Sequence, residues 1–115
     1  MNEGELIPPE QIPKYLAPLL GVGNIEFWRL LVNNLPSERF AVGDVLPVER
    51  TQPHSGCYVL ATVVQSGVSK SIFRLYLHPH LWIYARKGTL EQAERVDDGT
   101  TTLRGVILPP IRPLE

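Results

Sequence analysis

Proline constrains this chain more than any other residue. Eleven prolines stand among its 115 residues, and each removes a backbone donor and fixes φ. Pro8, Pro9, Pro13 and Pro18 crowd one end and Pro109, Pro110 and Pro113 the other. Residues 1–23 therefore read as an extended, Pro-rich arm and 109–115 as a Pro-rich tail. Leu114-Glu115 has the look of a cloning remnant. The stretch between them, 24–108, is the size of one domain with one core. Its first expected element is a helix over 24–35, with Asn24 as N-cap and Pro36 as the stop. Phe27, Leu30, Leu31 and Asn34 fall at i, i+3, i+4 and i+7, which puts three apolar residues on one face. Residues 14–20 could add a preceding helical turn, against which Pro18 counts.

After Gly43-Asp44 the texture changes to short β-branched runs between turn residues. Val45–Arg50 reads as an edge strand, because Pro47 has no donor for a ladder. Gln52–Gly56 is a turn, Cys57–Gln65 a central strand, and Ser66-Gly67 the next turn. Ser69–Leu77 and Leu81–Arg86 form a hairpin around His78-Pro79-His80, and Thr100–Leu108 is the last strand. Lys87–Gly99 is polar, with a short helical turn expected at Leu90–Arg95. About five short strands and one leading helix predict a mostly-β barrel or half-barrel.

A three-residue turn in that hairpin would pair Leu77 with Leu81, Tyr76 with Trp82 and Arg74 with Tyr84. Alternation then gives a core face of Phe73, Leu75, Leu77, Leu81, Ile83 and Ala85. The opposite face would carry Arg74, Tyr76, Trp82, Tyr84 and Arg86, an aromatic and cationic surface. Between Glu49 and Glu91 there is no acidic residue, while Arg50, Lys70, Arg74, Arg86 and Lys87 make that window +5 in a chain of net charge −1. Such a face suits a protein interface, where Tyr, Trp and Arg are enriched, a packed helix, or single-stranded nucleic acid.

Other classes are excluded or weakened. The apolar fraction of 43% with balanced charge argues against disorder. No apolar run reaches the roughly 18 residues of a membrane span, and no leader-like segment opens the sequence. The single Cys57 favours a reducing, cytoplasmic setting over a disulfide scaffold. Cys57 with His54 three residues before it reads as a small buried hydrophobe rather than a nucleophile. His54, His78 and His80 lack nearby acidic or Cys ligands, and Pro79 breaks the His-x-His pair, so no metal is expected. No cofactor or small-molecule substrate is indicated.

Several short motifs together carry a family resemblance. Phe40-Ala41-Val42-Gly43-Asp44-Val45-Leu46-Pro47-Val48 is followed by Pro53-His54-Ser55-Gly56-Cys57-Tyr58-Val59-Leu60-Ala61, then Ile72-Phe73-Arg74-Leu75 and Leu103-Arg104-Gly105-Val106-Ile107. Over residues 32–108 this resembles the carboxy-terminal domain of LexA-like repressors and their UmuD-type relatives, whose fold is related to signal peptidase. The resemblance assigns turns to Gly43, Asp44 and Gly56. It implies dimerisation, often through the last strand, here Leu103, Gly105, Val106 and Ile107. The family's nucleophilic Ser falls where this chain has Leu35-Pro36, and its general-base Lys where Phe73 or Arg74 stands. Arginine cannot lose its proton at accessible pH, so no catalytic residue is expected. Ser37 and Lys70 as a relocated pair would need shifts in opposite senses. The expectation is a non-catalytic, LexA-like dimerisation or regulator-interaction module of phage or prophage type, whose partner is a second copy or another regulatory protein. Some 35 residues before the β region are too few for a helical DNA-binding domain. The alternative is a small β-barrel that binds single-stranded nucleic acid.

Overall fold

The computed structural model describes residues 2–12, 14–19, 24–86 and 89–112, with the side chains of 17–19 and 85–86 excepted. More of the chain is strand than the sequence suggests. Eight strands make one antiparallel sheet: β1 (Gly4–Leu6), β2 (Ile25–Leu30), β3 (Val45–Glu49), β4 (Tyr58–Gln65), β5 (Val68–Leu77), β6 (His80–Arg86), β7 (Thr89–Arg95) and β8 (Thr101–Ile107). Their order is β1-β2-β3-β8-β4-β5-β6-β7, and the ladder is open between β1 and β7. Two 3-10 turns, Pro9–Gln11 and Lys14–Leu19, are the helical segments among the described residues, none long and apolar enough to cross a membrane. The mostly-β, half-barrel expectation holds.

The expected helix over 24–35 is instead β2. Its side chains alternate: Ile25 and Phe27 pack on one side of the sheet, Trp28 and Leu30 on the other. An apolar run buried on both faces satisfies helical spacing by chance, and its aromatic and β-branched residues favour strand. Leu31 and Val32 then leave the ladder, both donating to the Glu3 carbonyl, at 2.8 and 3.0 Å.

β3 is central rather than an edge, with β2 on one side and β8 on the other. Pro47 is tolerated because its partner segment skips a residue there. Val48 pairs with Ile107, and the next bridge joins Val45 to Ile111. Three steps along β3 thus face four along the tail, and Leu108-Pro109-Pro110 needs no donor from Pro47. The tail is bound further by Arg112, whose Nε and Nη2 donate to the buried Asp44 carboxylate at 3.0 and 3.1 Å.

Three apolar clusters follow from the alternation. The interior holds Leu30, Leu35, Phe40, Leu46, Val48, Leu60, Phe73 and Ile107. On the outer side of β4 and β5 lie Val59, Ala61, Val63, Ile72, Tyr76 and Leu81. A third cluster, Ile7, Leu16, Phe27 and Val45, seats the arm against β2 and β3. The arm is therefore part of the sheet, and its first residues also reach β5. Glu3 N–H donates to the Ser71 carbonyl at 3.0 Å, and Ser71 N–H to Asn2 Oδ1 at 2.8 Å. Gly4 makes this possible, because a Cβ there would overlap the buried ring of Phe73.

Candidate functional site

The hairpin from which the aromatic, cationic face was expected has a different register. Its turn is the two residues His78-Pro79, joined by a cis peptide, so Leu77 faces His80, Tyr76 faces Leu81 and Leu75 faces Trp82. One residue of shift moves every side chain of one strand to the other side of the sheet. Arg74 and Tyr76 share a side with Leu81, whereas Trp82 and Tyr84 share one with Leu75. The five expected contact residues do not form one face.

Their surroundings separate them further. Arg74 is 4% exposed, with Nη1 on Glu3 Oε1 at 2.6 Å and Nε on Glu94 Oε1 at 2.9 Å. Burial works against its charge, but the hydrogen bonds to Glu3 and Glu94 outweigh that and raise its pKa above the ordinary value. It ties arm, β5 and β7 together. Tyr76 is buried, its hydroxyl 2.8 Å from His78 Nδ1. Trp82 is half-buried and meets His80 edge-on at 6.2 Å. Tyr84 is the exposed member, at 45%, and the Arg86 side chain lies outside the described residues.

The expected dimer strand is also in a different situation. β8 lies between β3 and β4, so it is not an edge strand: Val106 pairs with both Glu49 and Val59, Gly105 with Leu60, Leu103 with Ala61, and Ile107 with Val48. Gly105 is needed because a Cβ would stand 2.6 Å from the Glu49 carbonyl oxygen. Leu103 packs against the outer cluster beside Ala61. The turn residues stand where expected. Gly43 and Gly56 have φ of 95° and 102°, and Asp44 closes its turn by accepting from Ala41 N–H at 2.9 Å.

β7 replaces the expected helical turn at Leu90–Arg95, and its pairing with β6 creates the concavity that best fits a functional site. Beyond the Leu75–Trp82 pair, β6 parts from β5 and leans over the loop joining β2 to β3. Tyr84 N–H donates across the gap to the Asn34 carbonyl at 3.1 Å. A groove of about 530 Å³ runs there, lined by Asn33, Leu35, Pro36, Ser37, Glu38, Phe40, Tyr84 and Leu90. Tyr84 and Leu90 are cross-strand partners, 45% and 46% exposed. The loop wall is braced from within: Asn33 donates to the Phe40 carbonyl at 2.9 Å and accepts from Leu35 N–H at 3.1 Å. Leu35 and Phe40 turn inward, where Phe40 meets Tyr58 edge-on at 5.2 Å.

The Leu35 and Phe73 positions belong to the same buried cluster, 2% and 0% exposed. Ser37 lines the groove, its Oγ accepting from Arg39 N–H at 3.2 Å, while Lys70 pairs with Val63 three residues up β5 from Phe73 and is not part of the lining. Cys57 and His54 are joined by a backbone hydrogen bond of their turn. No group of three potential metal ligands occurs among the described residues.

The sequence reading singled out only Tyr84 of the groove as a contact. Leu90 lay in a stretch with no apolar pattern, and Phe40 and Leu35 read only as motif positions. Nothing local announces a groove made by two segments some fifty residues apart. No family model, curated protein or solved structure matches this chain.

Proposed function

We propose that this chain is a LexA-like domain without self-cleavage chemistry, acting as a regulator-interaction module that holds an extended segment of another protein in the groove. The observation that carries the reading is the burial of Leu35 and Phe73 in one apolar cluster. By the family resemblance Leu35-Pro36 stands at the place of the nucleophilic Ser and Phe73 or Arg74 at that of the general-base Lys, two groups that must meet for the hydroxyl to be activated. Leu35 and Phe73 meet as hydrocarbon, Arg74 is held as a cation by Glu3 and Glu94, and none of the three can serve as nucleophile or base. Leu35 also lines the groove, so an apolar wall stands where a peptide bond would be attacked. A groove whose wall carries hydrocarbon at these places is suited to holding a chain rather than cutting it.

Two features fit this role. Exposed Tyr84 and Leu90 offer an aromatic and an aliphatic anchor beside a pocket, the make-up of binding hot spots. The lone Cys57 suits the reducing cytoplasm, where a transcription regulator would work. Selection of displayed random peptides on the protein, with the doubly substituted Tyr84→Ala, Leu90→Asp chain as competitor, tests the reading. Peptides that bind the wild type and not the variant are expected, together with an intact mass after prolonged incubation at raised pH. Selected peptides that bind both chains equally, or self-cleavage, would sink it.

A further inference from the structure

The groove's polar groups are nearly all committed to its own wall. Both ends of the Asn33 amide are spent on Phe40 and Leu35, and Ser37 Oγ on Arg39 N–H. Among the described residues Glu38 is the one charged member of the lining, and its carboxylate has neither a hydrogen bond nor an ion pair there. Neither Arg39 nor Arg112 pairs with it. The Arg39 guanidinium lies over the Phe40 ring, 5.9 Å from its centroid, and Arg112 is bound to Asp44. The rest of the lining is apolar or aromatic: Pro36, Tyr84 and Leu90 reach the surface, with buried Leu35 and Phe40 beneath them.

We infer that the groove selects a partner segment in which one basic residue stands between apolar ones, with Glu38 as the specificity-determining carboxylate. The inference rests on the docking reading above and names the chemistry of its occupant. A segment docked on Leu90 and Tyr84 excludes water from the groove, and an ion pair to Glu38 strengthens as the local dielectric falls. A neutral segment would leave the carboxylate partly desolvated and unpaired, which costs affinity. An acidic segment would add like-charge repulsion.

The test uses short fluorescein-labelled peptides, acetylated and amidated, centred on leucine–arginine–leucine, leucine–glutamine–leucine or leucine–glutamate–leucine. Each is titrated against the full chain by anisotropy. The arginine peptide is expected to bind about tenfold more tightly than the glutamine peptide, and the glutamate peptide most weakly. Glu38→Gln should abolish the difference between the first two, and Glu38→Lys should favour the glutamate peptide. Glu38 and Leu90 are not core residues, so these variants keep the fold, which circular dichroism checks. If arginine and glutamine peptides bind alike and both are lost in Leu90→Asp, the charge selection is wrong and docking stands. If no peptide binds, or Leu90→Asp leaves binding unchanged, docking falls and the inference with it.

Discussion

Arg74 carries its charge into the interior, where one guanidinium faces two carboxylates, Glu3 on the arm and Glu94 on β7. Removing it would strand two partly or fully buried anions, which costs more than the pair contributes when intact. Arg74→Ala is expected to lower unfolding free energy by about 3 kcal/mol, read from urea denaturation, and a loss below about 1 kcal/mol would contradict this placement. At the surface, the Arg95 hydrogen bond, and then its charge, hold the Asp97 carboxyl down to about 2 from an ordinary 3.8. A depressed acid stabilises the fold above its unfolded pKa, and that contribution fades as pH falls through the folded value. Carbon-detected NMR titration should place the Asp97 midpoint near 2, and Arg95→Gln should move it back toward 3.8. A midpoint unmoved by that substitution would show the pair to be incidental.

Among the elements, glycines separate two kinds of constraint. At Gly105 a Cβ would meet the Glu49 carbonyl oxygen at 2.6 Å and Val48 Cγ1 at 2.8 Å, whereas at Gly43 nothing lies within 4 Å and only the φ of 95° is strained. Gly105→Ala is expected to cost about 2–3 kcal/mol by forcing β3 and β8 apart. Gly43→Ala should cost about 1 kcal/mol. Equal losses in urea denaturation would contradict the close packing of β8. The legibility of the elements follows the same logic of local against distant causes. Turn glycines and the β4–β5 hairpin are written in adjacent residues, so Gly43, Gly56 and Ser66-Gly67 could be read directly. β2 could not, because its apolar residues serve two clusters at once and so lose their period. β7 is exposed along nearly all its length and is a strand because β6 is beside it, which no local pattern records. The β5–β6 register turned on whether the loop holds two or three residues, and that one residue dismantled the expected basic, aromatic face.

For the molecule as a whole, the groove exists because the β6–β7 ribbon leaves β5 after Trp82 and leans over a loop whose ends are tied between Leu30 and Asp44. Leu30 N–H donates to the Asp44 carbonyl at 3.0 Å, and Gly43 N–H to the Leu30 carbonyl at 2.8 Å. Leu35 and Phe40 plug that loop into the core and so anchor the groove wall on the interior beneath it. The sequence offered Leu35 only as a motif position and Tyr84 only as part of a face that does not form, and it showed neither the groove between them nor β7 that completes it. Whether the groove docks an extended chain is read from amide-resolved NMR with the arginine peptide. Shift changes are expected to be confined to Asn33–Phe40 and Ile83–Leu90, with the amides of β8 unmoved. Changes centred on β8 or on the arm, with residues 33–40 silent, would contradict docking in the groove.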